Sequence, residues 1–298
     1  MKKSLIDTQL VSIVIPSFNQ GEFIEQTIES VLAQDYRPIE ILVIDAGSTD
    51  GTVGILHKYD SVPEVMWISE SDNGHADGIN KGFSRSRGEI VAWLNSDDVY
   101  FSCSTISVAA RFLQEHPSVD VLYGDAAIIS DENKLLRLFL LPPYNKSRVQ
   151  RGNFISQPAV FFRRAVVKSQ KLDANLLGLD YEYWMRLAMR GFTFYHINAI
   201  LAGDRHYPRR LSVVKRKLIN SQIEAVKAGF GFTGKNYWFM HFLDRFAQAF
   251  CRTKGLILIV FMSLRWTQYK IKLVFPVKID SFFDLLIRQL TKPIGSNM

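Results

Sequence analysis

The feature that most constrains the fold is an alternation of short apolar runs with longer amphipathic stretches through the first half of the chain. The apolar runs have the length of strands and lie at residues 10–15, 40–44, 65–68 and 89–94. The amphipathic stretches carry apolar residues at helical spacing and lie at about residues 20–34, 50–59, 75–87 and 105–115. Such alternation is typical of a parallel sheet covered by helices on both faces, so the sequence predicts an α/β fold.

Polar residues follow each of these predicted strands. Ser17 and Asn19 follow the first, Asp45 the second, residues 70–74 (Glu-Ser-Asp-Asn-Gly) the third, and residues 95–98 (Asn-Ser-Asp-Asp) the fourth. Because the carboxyl ends of parallel strands meet at one edge of a sheet, we expect these residues to line a shared ligand cleft. The alternative for the Ser-Asp-Asp segment is a solvated turn that caps the next helix.

Asp97 and Asp98 are adjacent carboxylates at the end of a predicted buried strand. Two anions this close repel each other, and a hard divalent cation with oxygen ligands relieves the repulsion. Mg²⁺ or Mn²⁺ held by one or two carboxylates together with substrate phosphates is a common form of such a site. The pair therefore indicates a metal-bound phosphate ester, such as a nucleotide diphosphate.

The composition predicts a folded protein of a reducing compartment. Of the 298 residues, 47% are hydrophobic, which is enough for a sizeable core. Cys103 and Cys251 lie too far apart in sequence for a metal-ligand motif or a disulfide framework. The sequence shows neither a signal-peptide pattern nor an apolar run of membrane-spanning length, which predicts a cytoplasmic location.

Five sequence blocks resemble those of family 2 glycosyltransferases with the GT-A fold, and they cover residues 10–212 in the family's order. The blocks are 11–19 (VSIVIPSFN), 43–52 (VIDAGSTDGT), 70–74 with 76–82 (ESDNG and ADGINKG), 95–98 (NSDD) and 179–184 (LDYEYW). The resemblance implies a nucleotide-diphospho-sugar transferase fold, with a mostly parallel central sheet flanked by helices. We expect a catalytic domain at residues 1–212 and a C-terminal helical region at residues 213–298.

The resemblance also implies which residues bind the sugar donor. The Asp45 position hydrogen-bonds the pyrimidine ring, and a carboxylate is a suitable acceptor for an imide N–H. Taken alone, Asp45 is also a typical turn residue. The Asp97 position lies near the ribose and the metal, and the Asp98 position coordinates the cation that bridges the diphosphate. The remaining donor-binding positions implied by the family are Pro16, Ser17, Asn19, Asp77, Lys81, Asn95 and Ser96.

Asp180 is the general base that the resemblance implies. An inverting transfer needs a carboxylate on the face of the sugar opposite the leaving group, where it accepts the proton of the attacking acceptor hydroxyl. Considered without the family match, Asp180 at the start of a predicted helix is better explained as an N-cap.

The match departs from the family near residue 205. The family often has Arg-x-His, with the histidine near the metal or phosphate, whereas His206 here follows Arg205 directly. His206 is therefore a candidate metal ligand that is out of register with the family pattern. Processive synthases of the family carry Gln-x-x-Arg-Trp, whereas residues 262–266 read Met-Ser-Leu-Arg-Trp, so we expect single sugar additions.

The C-terminal part is basic and amphipathic. Residues 205–298 carry 17 Lys and Arg against 4 Asp and Glu, and aromatic or aliphatic faces recur at residues 235–251, 255–264 and 279–290. Such helices suit an anionic membrane interface. The alternatives are a helical bundle packed on the catalytic domain and a homodimer contact. No recognised nucleic-acid motif is present, so we expect no nucleic-acid partner.

These features predict a metal-dependent, inverting glycosyltransferase that moves one sugar from a UDP- or dTDP-sugar to a hydroxyl of a glycan or lipid-linked acceptor. The expected setting is bacterial surface polysaccharide or lipopolysaccharide assembly at the inner face of the cell membrane. A nucleotidyltransferase is one alternative, but it would need a Gly-rich basic loop where residues 17–21 read Ser-Phe-Asn-Gln-Gly. A non-catalytic nucleotide-sugar-binding scaffold is another, and it would not need both Asp98 and Asp180.

Overall fold

A nine-stranded sheet runs through the part of the chain that the computed structural model describes, residues 9–232. Its strands are β1 (Val11–Ser17), β2 (Ile39–Asp45), β3 (Val65–Ser69), β4 (Ile90–Trp93), β5 (Val99–Tyr100), β6 (Val121–Ile129), β7 (Leu135–Phe139), β8 (Val160–Arg163) and β9 (Phe194–Arg205). The order across the sheet is β3-β2-β1-β4-β8-β6-β9-β5, and β7 pairs with β6 outside this path.

Helices cover the sheet between these strands. They are α1 (Ile24–Leu32), α2 (Thr52–Leu56), α3 (His75–Arg85), α4 (Thr105–Glu115), α5 (Lys146–Arg151), α6 (Arg164–Ser169), α7 (Leu179–Met189), α8 (Leu211–Val214) and α9 (Arg216–Gly229). The predicted α/β class is therefore confirmed. The predicted helices 75–87 and 105–115 correspond to α3 and α4.

Most strands point the same way. Strands β1, β2, β3, β4, β6 and β9 run in one direction, and β5, β7 and β8 run in the other. At the carboxyl edge, Ser17, Asp45 and Ser69 lie side by side in register on β1, β2 and β3. The polar residues at the ends of these strands thus share one edge, as the alternation predicts.

Two apolar cores lie on opposite faces of the sheet. Val14 and Trp93 pack on one face with α3 and α7, whereas Ile13, Ile15 and Ala92 pack on the other with α1 and α4. Because consecutive side chains of a strand alternate between faces, both sets are buried, and β1 and β4 read as nearly continuous apolar runs. The apolar runs that predict these strands therefore reflect burial on both faces of the sheet.

Proline at residue 16 predicts an end of the first strand after the apolar run at residues 10–15, but this prediction is wrong. Strand β1 continues to Ser17, and Pro16 is in register with Ile44 of β2. The Val14 carbonyl accepts from Leu94 N on the β4 side, and Pro16 faces that same side, beyond the last residue of β4. The missing N–H of Pro16 therefore costs no ladder hydrogen bond.

Strand β9 was not predicted, although it pairs with β6 along almost its whole length. The alternative that residues 95–98 form a turn capping the next helix is wrong, because these residues lead into the short strand β5 and not into a helix. Helix α4 begins later, at Thr105, with Ser104 before it. The two aspartates of this turn are therefore not helix caps.

Helix α8 spans the predicted domain boundary at residue 212, and α9 lies beyond it. Gln222 of α9 accepts a hydrogen bond from Leu177 N through its Oε1 atom at 2.9 Å, so α9 packs beside the start of α7. The boundary itself stays a prediction. The predicted amphipathic helices at residues 235–251, 255–264 and 279–290 lie outside the described residues. Within residues 9–232, no helix combines the length and the apolar character needed to cross a membrane.

Candidate functional site

Asp45 organises the loop that follows β2. Its Oδ2 accepts from Ser48 N at 2.9 Å and from Ser69 Oγ at 2.6 Å, and its Oδ1 accepts from Ser48 Oγ at 2.5 Å. The residue is fully buried. The turn-forming role of Asp45 is therefore present, and its contact with a donor base stays a prediction.

The loops after β1 and β2 are bonded to each other. Asn19 has a positive φ of 52°, a conformation that asparagine tolerates better than most residues. Its Oδ1 accepts from Thr49 N at 2.9 Å, and its backbone N–H donates to Ser48 Oγ at 2.7 Å. Beside them, the buried Ser17 Oγ has no hydrogen-bond partner, which marks a polar atom available to a ligand after a small movement.

Asp77 and Lys81 lie on the first turns of α3. Asp77 Oδ2 accepts from Asn73 N at 3.1 Å, which satisfies a backbone donor before the helix. Lys81 Nζ lies 3.2 Å from Glu70 Oε1 and 3.7 Å from Asp77 Oδ2. Both residues thus have partners within the protein at this edge of the sheet. Their contact with the donor stays a prediction.

The turn that carries Asp97 and Asp98 is clamped from several sides. Thr27 Oγ1 of α1 donates to the carbonyls of Ser96 and Asp98, at 2.9 and 2.8 Å. Asn95 Oδ1 accepts from Trp93 Nε1 at 2.9 Å. Helix α1 and strand β4 therefore fix the orientation of the acidic pair.

Asp98 is fully buried and accepts hydrogen bonds on both carboxylate oxygens. Its Oδ1 accepts from Arg205 N at 2.8 Å, and its Oδ2 accepts from Asn95 Nδ2 at 3.3 Å. Burial raises the pKa of Asp98 well above its ordinary value; Arg210 acts in the opposite direction, while Asp97 and Asp204 add to the rise. The carboxylate therefore needs a nearby positive charge to stay ionised.

Arg210 supplies that charge. Its Nε is 3.8 Å from Asp97 Oδ2, its Nη2 is 3.5 Å from Asp98 Oδ2, and it also pairs with Asp204. Burial would lower the pKa of this guanidinium, but the three carboxylates outweigh it and raise the pKa, so the group is always charged. Arg210 therefore offers one positive charge to an acidic cluster formed by Asp97, Asp98 and Asp204.

Asp180 stands in the first turn of α7, where Gly178 and not Asp180 holds the N-cap position. Asp180 Oδ2 accepts from Asn153 Nδ2 at 2.7 Å. Burial raises the pKa of Asp180, whereas Asn153, backbone N–H groups and Arg210 lower it. Arg210 therefore acts electrostatically on Asp180 as well as on Asp98.

His75 is a member of the site that the sequence analysis missed. Its Nε2 is 3.1 Å from Asn95 Oδ1. Burial lowers the pKa of His75, Asp97 raises it, and Arg210 lowers it further, so the imidazole lies among the same charged groups. Its position as the first residue of α3, directly after Gly74, was the available signal, because helix N-termini point toward the ligand edge of such sheets.

His206 and Tyr207 occupy opposite environments. The His206 side chain is exposed, and its backbone N–H donates to the Ile129 carbonyl at 2.8 Å. Tyr207 is buried and donates its hydroxyl to Asp97 Oδ2 at 3.0 Å. The residue that reaches the acidic cluster is therefore Tyr207. Counted from Arg205, Tyr207 stands at the position of the histidine in the Arg-x-His pattern.

The structure places most of the predicted residues in three groups. Asn95, Asp97 and Asp98 lie in the turn after β4, where Arg210 contacts both aspartates; Ser17, Asn19 and Asp45 lie at the ends of β1 and β2; Asp77 and Lys81 lie on α3. Asp180 lies in the first turn of α7. Sequence reasoning missed Tyr207, Arg210, Asn153, Asp204 and His75. Of these, Tyr207 had a signal in its register with Arg205, and His75 had one in its place directly after Gly74.

Comparison with known proteins identifies the family of the chain. The Glycosyl transferase family 2 profile matches residues 12–170, more than half of the chain. TuaG of Bacillus subtilis strain 168, a glycosyltransferase named for teichuronic acid biosynthesis, is 28% identical over 211 residues, covering 70% of this chain and 83% of TuaG. Chondroitin synthase of Escherichia coli is 26% identical over 225 residues, covering 72% of this chain but only 32% of the synthase.

Solved structures show the same fold at low sequence identity. S. aureus TarS 1–349 in complex with UDP-GlcNAc superposes with a TM-score of 0.56 at 21% identity, covering 66% of this chain and 58% of that one. The mannosyltransferase PcManGT from Pyrobaculum calidifontis, in complex with GDP-Man and Mn²⁺, gives 0.58 at 18% identity, covering 77% and 66%. With the family profile spanning the acidic pair and the strands that carry it, the chain belongs to glycosyl transferase family 2 and has the GT-A fold.

Proposed function

We propose that this transferase moves a single sugar, with inversion, from a nucleotide diphosphate to a hydroxyl of a glycan or lipid-linked acceptor. The observation that carries the proposal is the acidic pair after β4, where Arg205 N donates to Asp98 Oδ1 at 2.8 Å and the Tyr207 hydroxyl donates to Asp97 Oδ2 at 3.0 Å. Asp98 would act on the donor and Asp180 on the acceptor, so both carboxylates would have to lie close to the sugar that is transferred.

For the donor, we propose a UDP- or dTDP-sugar bound at the ends of β1 and β2. Ser17, Asn19 and Asp45 would meet the base and ribose, while Pro16, Asn95, Ser96 and Asp97 would line the remainder. Asp77 and Lys81 would lie near the phosphates, where the lysine charge is favourable. Two fold relatives support a nucleotide-sugar donor, since TarS is solved with UDP-GlcNAc and PcManGT with GDP-Man.

For the metal, we propose Mg²⁺ or Mn²⁺. The protein would supply only some of the ligands. Asp97 and Asp98 offer hard oxygen ligands, yet among residues 9–232 no three His, Cys, Asp or Glu side chains form a complete metal cage. Such ions commonly take one or two carboxylates and complete their shell with substrate phosphates and water. The ion would neutralise charge that develops on the departing diphosphate.

For the acceptor step, we propose Asp180 as general base. The carboxylate would take the proton of the acceptor hydroxyl while that oxygen attacks the anomeric carbon and the bond to the diphosphate breaks. Burial raises the pKa of Asp180, which suits a group that must accept a proton, and Asn153 and Arg210 act in the opposite direction.

We propose assembly of a bacterial surface polysaccharide as the setting, with lipopolysaccharide as one case. TuaG is named for teichuronic acid biosynthesis, and chondroitin synthase is also a relative, which supports a glycan product. Action at the inner face of the cell membrane, through residues 213–298, belongs to the same proposal.

The test is a panel of sugar nucleotides measured by thermal stabilisation with and without Mn²⁺, followed by mass spectrometry of product glycans for any donor that binds. One donor should raise the melting temperature only when the ion is present. A panel in which no nucleotide sugar stabilises the protein would count against the proposed activity.

A further inference from the structure

Arg210 lies beside the acidic pair that would hold a divalent ion in the proposed function. Its nitrogens lie 3.5 Å from Asp98 Oδ2 and 3.8 Å from Asp97 Oδ2, and it pairs with Asp204 as well. The side chain is 16% exposed, against 0% for Asp98. The guanidinium is therefore a resident cation of the acidic cluster.

The rest of the segment after β9 reinforces this arrangement. Arg205 N donates to Asp98 Oδ1, and the Tyr207 hydroxyl donates to Asp97 Oδ2. Together with Arg210, these groups contact both oxygens of Asp98 and one of Asp97. The chain thus uses residues 205–210 to satisfy the carboxylates that an ion would need.

A divalent ion and Arg210 cannot both stay close to these oxygens at low cost. Two positive charges about 4 Å apart repel strongly in a partly buried site. A diphosphate changes this balance, because its oxygens attract a guanidinium and form charge-assisted hydrogen bonds with it. The diphosphate would then be a second partner for Arg210.

We propose that Arg210 and the divalent ion exchange at the Asp97–Asp98 pair, and that the donor's diphosphate drives the exchange. Without nucleotide, Arg210 holds the carboxylates; with nucleotide, Arg210 moves to the phosphate oxygens and the ion takes its place. The inference deepens the proposed function and rests on it. It makes the ion and the nucleotide bind with positive coupling, each favouring the other.

The first measurement is Mn²⁺ binding to the full chain without nucleotide, followed by the electron paramagnetic resonance signal of free Mn²⁺. Arg210→Gln should bind Mn²⁺ about tenfold more tightly than the wild type, because the competing charge is gone. Arg209→Gln is the matched control, since Arg209 is 70% exposed and pairs with Glu22 at 2.7 Å. It should stay close to the wild type.

The second measurement adds UDP, and dTDP in parallel. In the wild type, the nucleotide should raise Mn²⁺ affinity by about tenfold or more, and this gain should shrink in Arg210→Gln. The wild-type arm needs no substitution, so it tests the proposal even if a variant folds poorly. Circular dichroism checks the fold of each variant.

The outcomes separate the two proposals. If UDP or dTDP brings Mn²⁺ to the wild type but Arg210→Gln binds Mn²⁺ alone no better, the exchange is wrong and the metal role stands. If neither protein binds Mn²⁺ under any condition, the metal role in the proposed function fails, and the exchange fails with it. A wild type that binds Mn²⁺ equally well with and without either nucleotide also overturns the exchange.

Discussion

Asn153 donates a hydrogen bond from Nδ2 to Oδ2 of Asp180 at 2.7 Å, and so links the chain before β8 to the first turn of α7. The bond favours the ionised carboxylate, against the burial that favours its protonated form. Asn153 is therefore a positioning residue for the proposed base, and it sets the pH at which that base is available.

Removing this bond should move the pH dependence of transfer. In Asn153→Ala the pKa of Asp180 rises, so a larger share of the base is protonated at low pH. We expect the acidic limb of the kcat/KM profile to shift upward by about one pH unit, with activity largely retained on the alkaline side. The measurement is the profile of kcat/KM against pH.

Asn175→Ala is the control for that experiment, because Asn175 is exposed and bonds Asp173 through the same kind of contact. Its profile should match the wild type. An acidic limb that stays in place in Asn153→Ala would mean that Asn153 does not tune the base.

Substituting the base itself should separate binding from chemistry. Asp180→Asn keeps the shape of the side chain but cannot accept the acceptor's proton, so transfer should fall by about 10²- to 10⁴-fold. The affinity for the donor nucleotide, measured by calorimetry, should change little. A variant that transfers sugar at the wild-type rate would remove Asp180 as general base.

Asp98→Asn should abolish the dependence of nucleotide binding on the divalent ion. The amide presents one neutral oxygen where the carboxylate presents a charge, and hard cations bind neutral oxygen more weakly. Calorimetric titration of UDP and dTDP with and without Mn²⁺ measures the effect. Equal affinities for wild type and variant in the presence of Mn²⁺ would refute the metal role of Asp98.

The packing of α3 on β1 makes a prediction about stability. A Cβ added at Gly82 would lie 2.2 Å from Val14 Cγ1, so Gly82→Ala should destabilise the protein by about 1–3 kcal/mol. Gly54→Ala on α2 is the matched control, because an added Cβ there meets nothing within 4 Å. It should be neutral or stabilising, by up to about 1 kcal/mol. Urea unfolding of both variants measures the difference, and equal midpoints would contradict the predicted close contact.

Much of the fold was predictable because it depends on local patterns. The alternation of buried strands and amphipathic helices comes from the burial of apolar side chains, whose spacing is written along the chain. Helix α4, at Thr105–Glu115, was predicted at its observed bounds for this reason. Strand β9 was missed because polar residues such as His196 and Asp204 interrupt its apolar pattern, and its pairing with β6 joins distant parts of the chain.

The residues of the site likewise fall into those predictable from local sequence and those that depend on distant contacts. The family, the acidic pair at Asp97 and Asp98, and the candidate base Asp180 could be read from the chain alone, because those motifs are contiguous and lie at recognisable strand and helix ends. The return of Arg210 and Tyr207 to the acidic pair is visible only in the folded protein. Their contacts join residues more than a hundred positions apart, and they form because a buried carboxylate must find a counter-charge or a donor, which no local spacing encodes.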